Sequence, residues 1–254
     1  MAKHVQGTQS LSRSIGLLEH IGARSEPPRL QDLLAECEFT RPTLYRLLAG
    51  LEAEGLIVQT PDRRYLPGLR LVSLARRALA RNDIRDLARA HLEKLRDQTG
   101  ETVHLAIPSG SGLVYIDKIE SHETVRMSST IGTSVPFHSS GVGKAYLAAL
   151  PDAECASLIK ATKLEAVTPY TTTDPDVLAG QIANCQSQGF IFDDQENETG
   201  IVCFGAAILE ENDSPAAAVS VSVPLFRLRD DRSSYSEPLL DCVKDISRQL
   251  GNAG

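Results

Sequence analysis

The chain has 254 residues, 42% of them hydrophobic, and a formal net charge of −7. This is enough for one large domain or two of ordinary size; no stretch approaches the roughly 20 apolar residues of a membrane span, and the N-terminus lacks the apolar run of a signal peptide. Five cysteines (Cys37, Cys155, Cys185, Cys203, Cys242) are scattered without Cys-x-x-Cys pairs, which argues against a disulfide scaffold or zinc module and for a reducing cytoplasm.

The charge is unevenly spread. Residues 1–80 hold 11 Lys and Arg against 8 Asp and Glu, and the remainder 15 against 25. A mildly basic head on an acidic body is compatible with nucleic-acid binding, because affinity follows local phosphate neutralisation.

Residues 1–8 are polar and expected to lack regular structure. Leu11, Ile15, Leu18 and Ile21, with Leu17 beside them, predict a first amphipathic helix. Arg13 near its start could touch a DNA backbone, although an ordinary solvated helix start fits nearly as well. Gly22 to Arg29 reads as a loop. Leu30, Leu33 and Leu34 then mark a short helix, Cys37-Glu38-Phe39 a tight turn, and Leu44, Leu47, Leu48 and Leu51 the buried stripe of a second helix that Gly55 ends. Thr40 stands where it can cap that helix, and Pro42 is tolerated in its first turn. Arg41, Thr43, Tyr45 and Arg46 lie on the tip and the face away from the stripe. Two short helices with a basic, hydroxyl-bearing tip on the second form a helix-turn-helix pattern, whose second helix enters the major groove. Ile57-Val58-Gln59 and Arg64-Tyr65-Leu66 read as strands around Thr60-Pro61-Asp62-Arg63, which makes it a winged helix with Arg63 and Arg64 at the wing tip. The alternative is a helical hairpin used only for packing.

Leu71, Leu74, Ala75, Ala78 and Leu79 predict a linker helix over 69–81, a natural device for pairing subunits. Asn82-Asp83 would break it, and Ile84 to Thr99 reads as a further helix that Gly100 stops. The texture then turns to strands. Thr102 to Ile107 and Gly112 to Ile119 flank the turn Pro108-Ser109-Gly110-Ser111. Val125-Arg126-Met127-Ser128 is a third strand candidate. A Gly/Ser loop, His138 to Gly143, enters a helix over Lys144 to Leu150. Ala153 to Ala161 and Pro175 to Gly189 are helices. Phe190-Ile191-Phe192, Val202 to Leu209 and Ala216 to Val223 are strands, and Pro238 to Leu250 is a last helix. Antiparallel strands with helices around them make an α+β domain from about residue 82.

Ser140-Gly141-Val142-Gly143-Lys144-Ala145 tempts a phosphate-loop reading but lacks the Gly and the Ser/Thr that the pattern requires. A Gly-containing loop that opens a helix still suits a small anion; the alternative is a turn that needs Gly for backbone reasons alone. Ser220 and Ser222 alternate with valines, so both hydroxyls share one strand face, unless that face is the solvent side of an edge strand. Catalysis finds little support: no Gly-x-Ser-x-Gly or His-Glu-x-x-His is present, metal ligands at useful spacing are missing, and His104, His122 and His138 are isolated histidines of the kind that is more often structural. No cofactor is expected.

The run TRPTLYRLLAGLEAEGLI with RRYLPGLRL resembles the DNA-binding half of the IclR-type (isocitrate lyase regulator) transcription factors. GTSVPFHSSGVGKAYLA at 132–148 and DDQENETGIVCFGAAI at 193–208 are similar to that family's effector domain. The resemblance runs from about Thr8 to Leu250. It implies a regulator of operator DNA, a GAF-like effector-binding sheet, and a homodimer or homotetramer. It also implies that the backbone of Gly141 and Val142 meets a ligand carboxylate, with Asp193, Cys203, Ser220 and Ser222 around the same ligand and Met127 and Val135 as an apolar wall. Pro42 departs from the family, which usually has a small hydroxyl residue there, and this puts one phosphate contact in doubt. Two rival readings are a protein-interaction winged helix fused to a sensor domain, and an enzyme built on the C-terminal domain.

Overall fold

A computed structural model of the chain describes residues 8–79, 83–110, 112–125 and 127–252. Residues 1–7, 80–82, 111, 126 and 253–254 lie outside the described residues, and with them the expected end of the linker helix at 80–81, the expected break at Asn82, Ser111 of the expected turn, and Arg126. The chain divides into two compact units, one on each side of the Arg81–Asn82 boundary.

In the first unit α1 (Gln9–Gly22), α2 (Leu30–Glu36) and α3 (Arg41–Ala53) pack on a two-stranded antiparallel ribbon, β1 (Ile57–Gln59) and β2 (Tyr65–Pro67). The leucine periodicity is why. Leu17 and Ile21 from α1, Leu33 from α2, and Leu44, Leu47, Leu48 and Leu51 from α3 form one core with Ile57 and Tyr65. Burying a side chain of this kind contributes about 1.5–3 kcal/mol, so the stripe fixes the helix orientations. Gly55 follows α3 with φ +65°, a backbone that glycine adopts at little cost.

Two local expectations need correction here. Thr40 holds the N-cap position, but its hydroxyl caps no backbone group; it donates to Thr43 Oγ1 at 2.9 Å. The wing's second strand begins at Tyr65, not Arg64, because the Arg64 backbone closes the turn: its carbonyl accepts from Thr60 N at 2.8 Å and its N–H donates to Thr60 Oγ1 at 3.0 Å. The helix α4 (Leu69–Leu79) follows, with Leu69, Val72 and Leu74 exposed.

The second unit is built on a six-stranded antiparallel sheet in the order β5-β4-β3-β8-β7-β6. The strands are β3 (Thr102–Ser109), β4 (Gly112–Ile119), β5 (Ser134–Pro136), β6 (Ile191–Asp194), β7 (Ile201–Leu209) and β8 (Pro215–Pro224). Helices α5 (Asp83–Thr99) and α9 (Ser233–Gln249) pack against each other and the sheet; α6 (Gly141–Ala148) packs on β7 and β8, with α7 (Asp152–Ala161) and α8 (Pro175–Gln188) beyond it. β8 is central rather than an edge, so Ser220 and Ser222 are buried. The period of two sends Val219, Val221 and Val223 to one face and Ser220 and Ser222 to the other.

Four boundaries differ from expectation. The β3–β4 hairpin is tighter, with Pro108 and Ser109 still paired, to Leu113 and Gly112. No strand forms at Val125 or Met127–Ser128; the carbonyls of Met127 and Ser129 are taken by Lys118 Nζ at 2.8 and 2.7 Å instead of by a ladder. α6 starts at Gly141, not Lys144, because Ser140 caps it by accepting from Gly143 N at 3.1 Å. α9 starts at Ser233, five residues before Pro238, where Asp231 accepts the Ser233 N–H at 3.0 Å.

Backbone proximity explains the glycines under α6. A Cβ on Gly205 would lie 2.4 Å from Gly141 O, and one on Gly143 2.4 Å from Pro136 O. Gly205→Ala is expected to destabilise the unit by about 1–3 kcal/mol, since α6 must lift off β7. Urea unfolding checks this; an unchanged midpoint would contradict the close approach.

Candidate functional site

Two places gather the residues singled out above. The first is the surface of the winged helix. Arg41, Tyr45 and Arg63 line one groove together with Arg29, Gln31 and Gln59. Tyr45 is 51% exposed, so its ring is not part of the core stripe. Arg46 is exposed on α3, and Arg13 is exposed on α1; neither lines that groove. Arg63 sits at the wing turn with φ +61°. Arg64 does not reach outward. Its guanidinium binds Asp62 Oδ2 at 2.9 Å and the Pro27 carbonyl at 2.8 Å, which ties the wing to the loop before α2. Arg29 and Gln59 were not singled out in the sequence, because nothing local marks them; only the fold brings them beside α3.

The second place is a cavity of about 190 Å³ in the C-terminal unit. It lies below the roughly 300–1,000 Å³ of pockets for drug-sized ligands, so its occupant is small. Met127, Val135, Asp193, Cys203 and Ser222 line it, as do His104, Tyr115, Ser129, Asn197 and Glu198. The register explains the gathering. Cys203 pairs with both Asp193 and Ser222, and His104 lies one strand further on.

Three expected residues do not line the cavity. Gly141 is in the first turn of α6, close against Cys203 and Gly205, and its N–H is already directed at the Asp193 carboxylate. Val142 is 1% exposed in the apolar cluster under α6. Ser220 is buried in the ladder opposite Gly205 and His104. The helix start is consumed internally because α6 begins earlier and sits lower on the sheet than the loop reading requires.

Burial dominates the electrostatics of the cavity. Burial pushes Asp193 up to about 7, against the opposing pull of the Glu196 N–H (2.9 Å), the Lys144 charge and the Gly141 N–H. Burial, with the nearby Lys118 charge, pushes His104 down to about 3. Burial also raises Cys203 and Tyr115 well above their ordinary values. At neutral pH the cavity therefore presents a neutral imidazole, a thiol, a phenol, serine hydroxyls and a partly protonated Asp193, with the exposed Glu198 side chain also lining it. Among the described residues no Lys or Arg side chain lines it. His104, read from the sequence as structural, is central; its alternation with Thr102 and Ala106 on the Ser222 face is the signal that could have placed it.

Lys144, the lysine of the phosphate-loop-like run, is fully buried and pairs with Glu196 and with Gln181 Oε1 at 2.7 Å. It serves packing, not phosphate. Among the described residues no group of three or more His, Cys, Asp or Glu could hold a metal ion, and no helix is long and apolar enough to cross a membrane.

Comparison with known proteins agrees with this division. Residues 10–61 match the IclR helix-turn-helix domain, and residues 76–248 match the C-terminal domain of bacterial IclR transcriptional regulators. The HTH-type transcriptional repressor AllR of Salmonella paratyphi A is 31% identical over 248 residues, covering 97% of this chain and 91% of the repressor. The crystal structure of Thermotoga maritima IclR superposes with a TM-score of 0.77 at 32% identity, covering 95% of this chain and 98% of that one. An IclR homologue from Microbacterium hydrocarbonoxydans, crystallised with 4-hydroxybenzoate, shares the fold with a TM-score of 0.78 at 23% identity over 95% of this chain and 98% of its own. The chain belongs to the IclR family of bacterial transcriptional regulators, with a DNA-binding helix-turn-helix unit followed by an effector-binding α+β unit, and it is a regulator rather than an enzyme.

Proposed function

We propose that residues 8–68 bind double-stranded operator DNA, that the linker helix at 69–81 pairs subunits into a homodimer or homotetramer, and that residues 82–254 bind a small carboxylate. The protein works in the cytoplasm, with no membrane partner. On the DNA side α3 enters the major groove, where Arg41, Thr43, Tyr45 and Arg46 meet bases and phosphates. Arg13, Thr40 and Arg63 add backbone contacts, and Arg64 acts chiefly by holding the wing in place. The uncovered Leu69, Val72 and Leu74 on α4 supply the apolar surface that pairing needs. That a 31% identical relative is a repressor supports repression here. Ligand controls DNA binding only if it favours one domain arrangement over another.

The observation that carries the effector assignment is the cavity lined by Asp193, Cys203 and Ser222. A homologue of this fold holds 4-hydroxybenzoate, itself a carboxylate. Met127 and Val135 give the apolar wall, while Gly141 contributes through Asp193 rather than directly. The Val142 and Ser220 positions support the wall and the sheet beneath it. Among the described residues no cationic side chain lines the chamber, so a protonated Asp193 that donates to the carboxylate is the group that accommodates it.

A sign follows. Asp193 titrates at about 7 in the free protein, and a bound anion beside it favours the protonated form. Binding therefore takes up a proton above pH 7. Affinity for a carboxylate is expected to be flat below that pH and to fall by up to about tenfold per pH unit above it. A thermal-shift screen of small carboxylic acids on the full chain, repeated from pH 6 to 9, tests both points. A folded protein that no acid stabilises would sink the carboxylate reading, and a hit whose affinity rises with pH would sink the role of Asp193. Asp193→Asn should flatten the pH profile.

A further inference from the structure

His104 makes two polar contacts in the floor of the cavity. Its Nε2 lies 2.7 Å from Ser129 Oγ and its Nδ1 3.3 Å from Ser222 Oγ, which is itself 3.3 Å from Cys203 Sγ. The ring is held in place by stacking on Tyr115, with centroids 4.6 Å apart. A neutral imidazole has one proton for these two contacts, and where it sits decides what Ser222 can offer. If Nε2 carries it, Ser222 must donate to Nδ1 and shows only lone pairs to the cavity. If Nδ1 carries it, Ser222 accepts from the ring and its own proton is free.

Two observations choose between these forms. The Ser129 contact is shorter than the usual N–H···O distance of about 2.9–3.0 Å and fits a donating hydroxyl. Lys118 Nζ, bound to Ser129 O at 2.7 Å and Met127 O at 2.8 Å, places a positive charge on the Nε2 side, where it disfavours a ring proton.

We propose that His104 is the specificity-determining residue of the cavity: it carries its proton on Nδ1, so that Ser222 presents a hydroxyl donor to the effector. The floor then selects an acceptor oxygen, as in a carboxylate or a carbonyl, and rejects an alcohol or amine that needs an acceptor there. Among the described residues the Ser222 proton then meets only the Cys203 sulfur, a weak acceptor, and is readily surrendered to a ligand oxygen. The inference rests on the effector site proposed above, but its test does not.

The test is a long-range 1H–15N correlation of the histidine rings in the full-length, ligand-free protein at neutral pH, with His104 assigned through its contact with the Tyr115 ring. The expected spectrum has Nδ1 protonated and Nε2 unprotonated. Ser222→Ala should shift the Nδ1 signal and Ser129→Ala the Nε2 signal. A proton on Nε2, a doubly protonated ring, or no response to either substitution overturns the proposal, whatever the acid screen returns. A screen without hits alongside the Nδ1–H form refutes the carboxylate reading and leaves the tautomer standing.

Discussion

Arg46→Ala is expected to weaken operator binding by roughly 5- to 150-fold at moderate salt, the equivalent of about 1–3 kcal/mol for one lost base or phosphate contact. Leu44, Leu47, Leu48 and Leu51 point into the core, so the turn between them must point out, and Arg46 is exposed there. The stripe stays intact in the variant, so folding should be unaffected. Titrations at several salt concentrations separate two roles. A phosphate contact would lower the salt slope by about one and act on all sequences alike, whereas a base contact would keep the slope and relax sequence preference. Unchanged affinity at every salt concentration would mean that α3 is not the reading helix. Arg64→Ala makes a useful contrast, because Arg64 is committed to Asp62 and Pro27: its effect should come through wing placement.

How far the sequence carried this picture depended on the range of the interaction. The winged helix was legible because its core is a local leucine period, and a stripe at i, i+3, i+4 and i+7 decides both which face is buried and which is free. The strand β8 was legible from the alternation of its serines and valines. What failed was non-local. Met127 and Ser128 have strand-like composition, yet Lys118 captures the neighbouring carbonyls, and no propensity records that competition. Gly141 looked like an open helix start because an anion site and a close backbone approach demand the same residue; only the position of Gly205 beneath it separates the two. His104 stood alone in sequence, and the strand register brings Ser222 and Cys203 to it from the other end of the unit.

Lys144→Met should be the most destabilising single change in the C-terminal unit. Lys144 is fully buried on α6 and pairs with Glu196, itself 4% exposed. Glu196 also accepts from Thr172 N at 2.9 Å and Gln181 Nε2 at 3.2 Å, and its carbonyl accepts from Thr171 Oγ1 at 2.7 Å. Helix α6, helix α8 with the loop before it, and the turn after β6 are thus joined at one carboxylate. Removing the lysine leaves that carboxylate buried with neutral donors only, a loss of about 3–5 kcal/mol. At about 2–4 °C per kcal/mol for a unit of this size, the melting point should fall by about 6–20 °C. The double variant Lys144→Met/Glu196→Met removes both charges and should recover much of this, because what is costly is the unpaired ion rather than the missing bridge. A single variant as stable as the wild type would show that the pair is not what holds the turn. The same contact reaches the effector cavity, since the Glu196 N–H holds Asp193 Oδ1 at 2.9 Å. Loosening Glu196 should therefore cost effector affinity as well as stability, and Lys144→Met should show both losses.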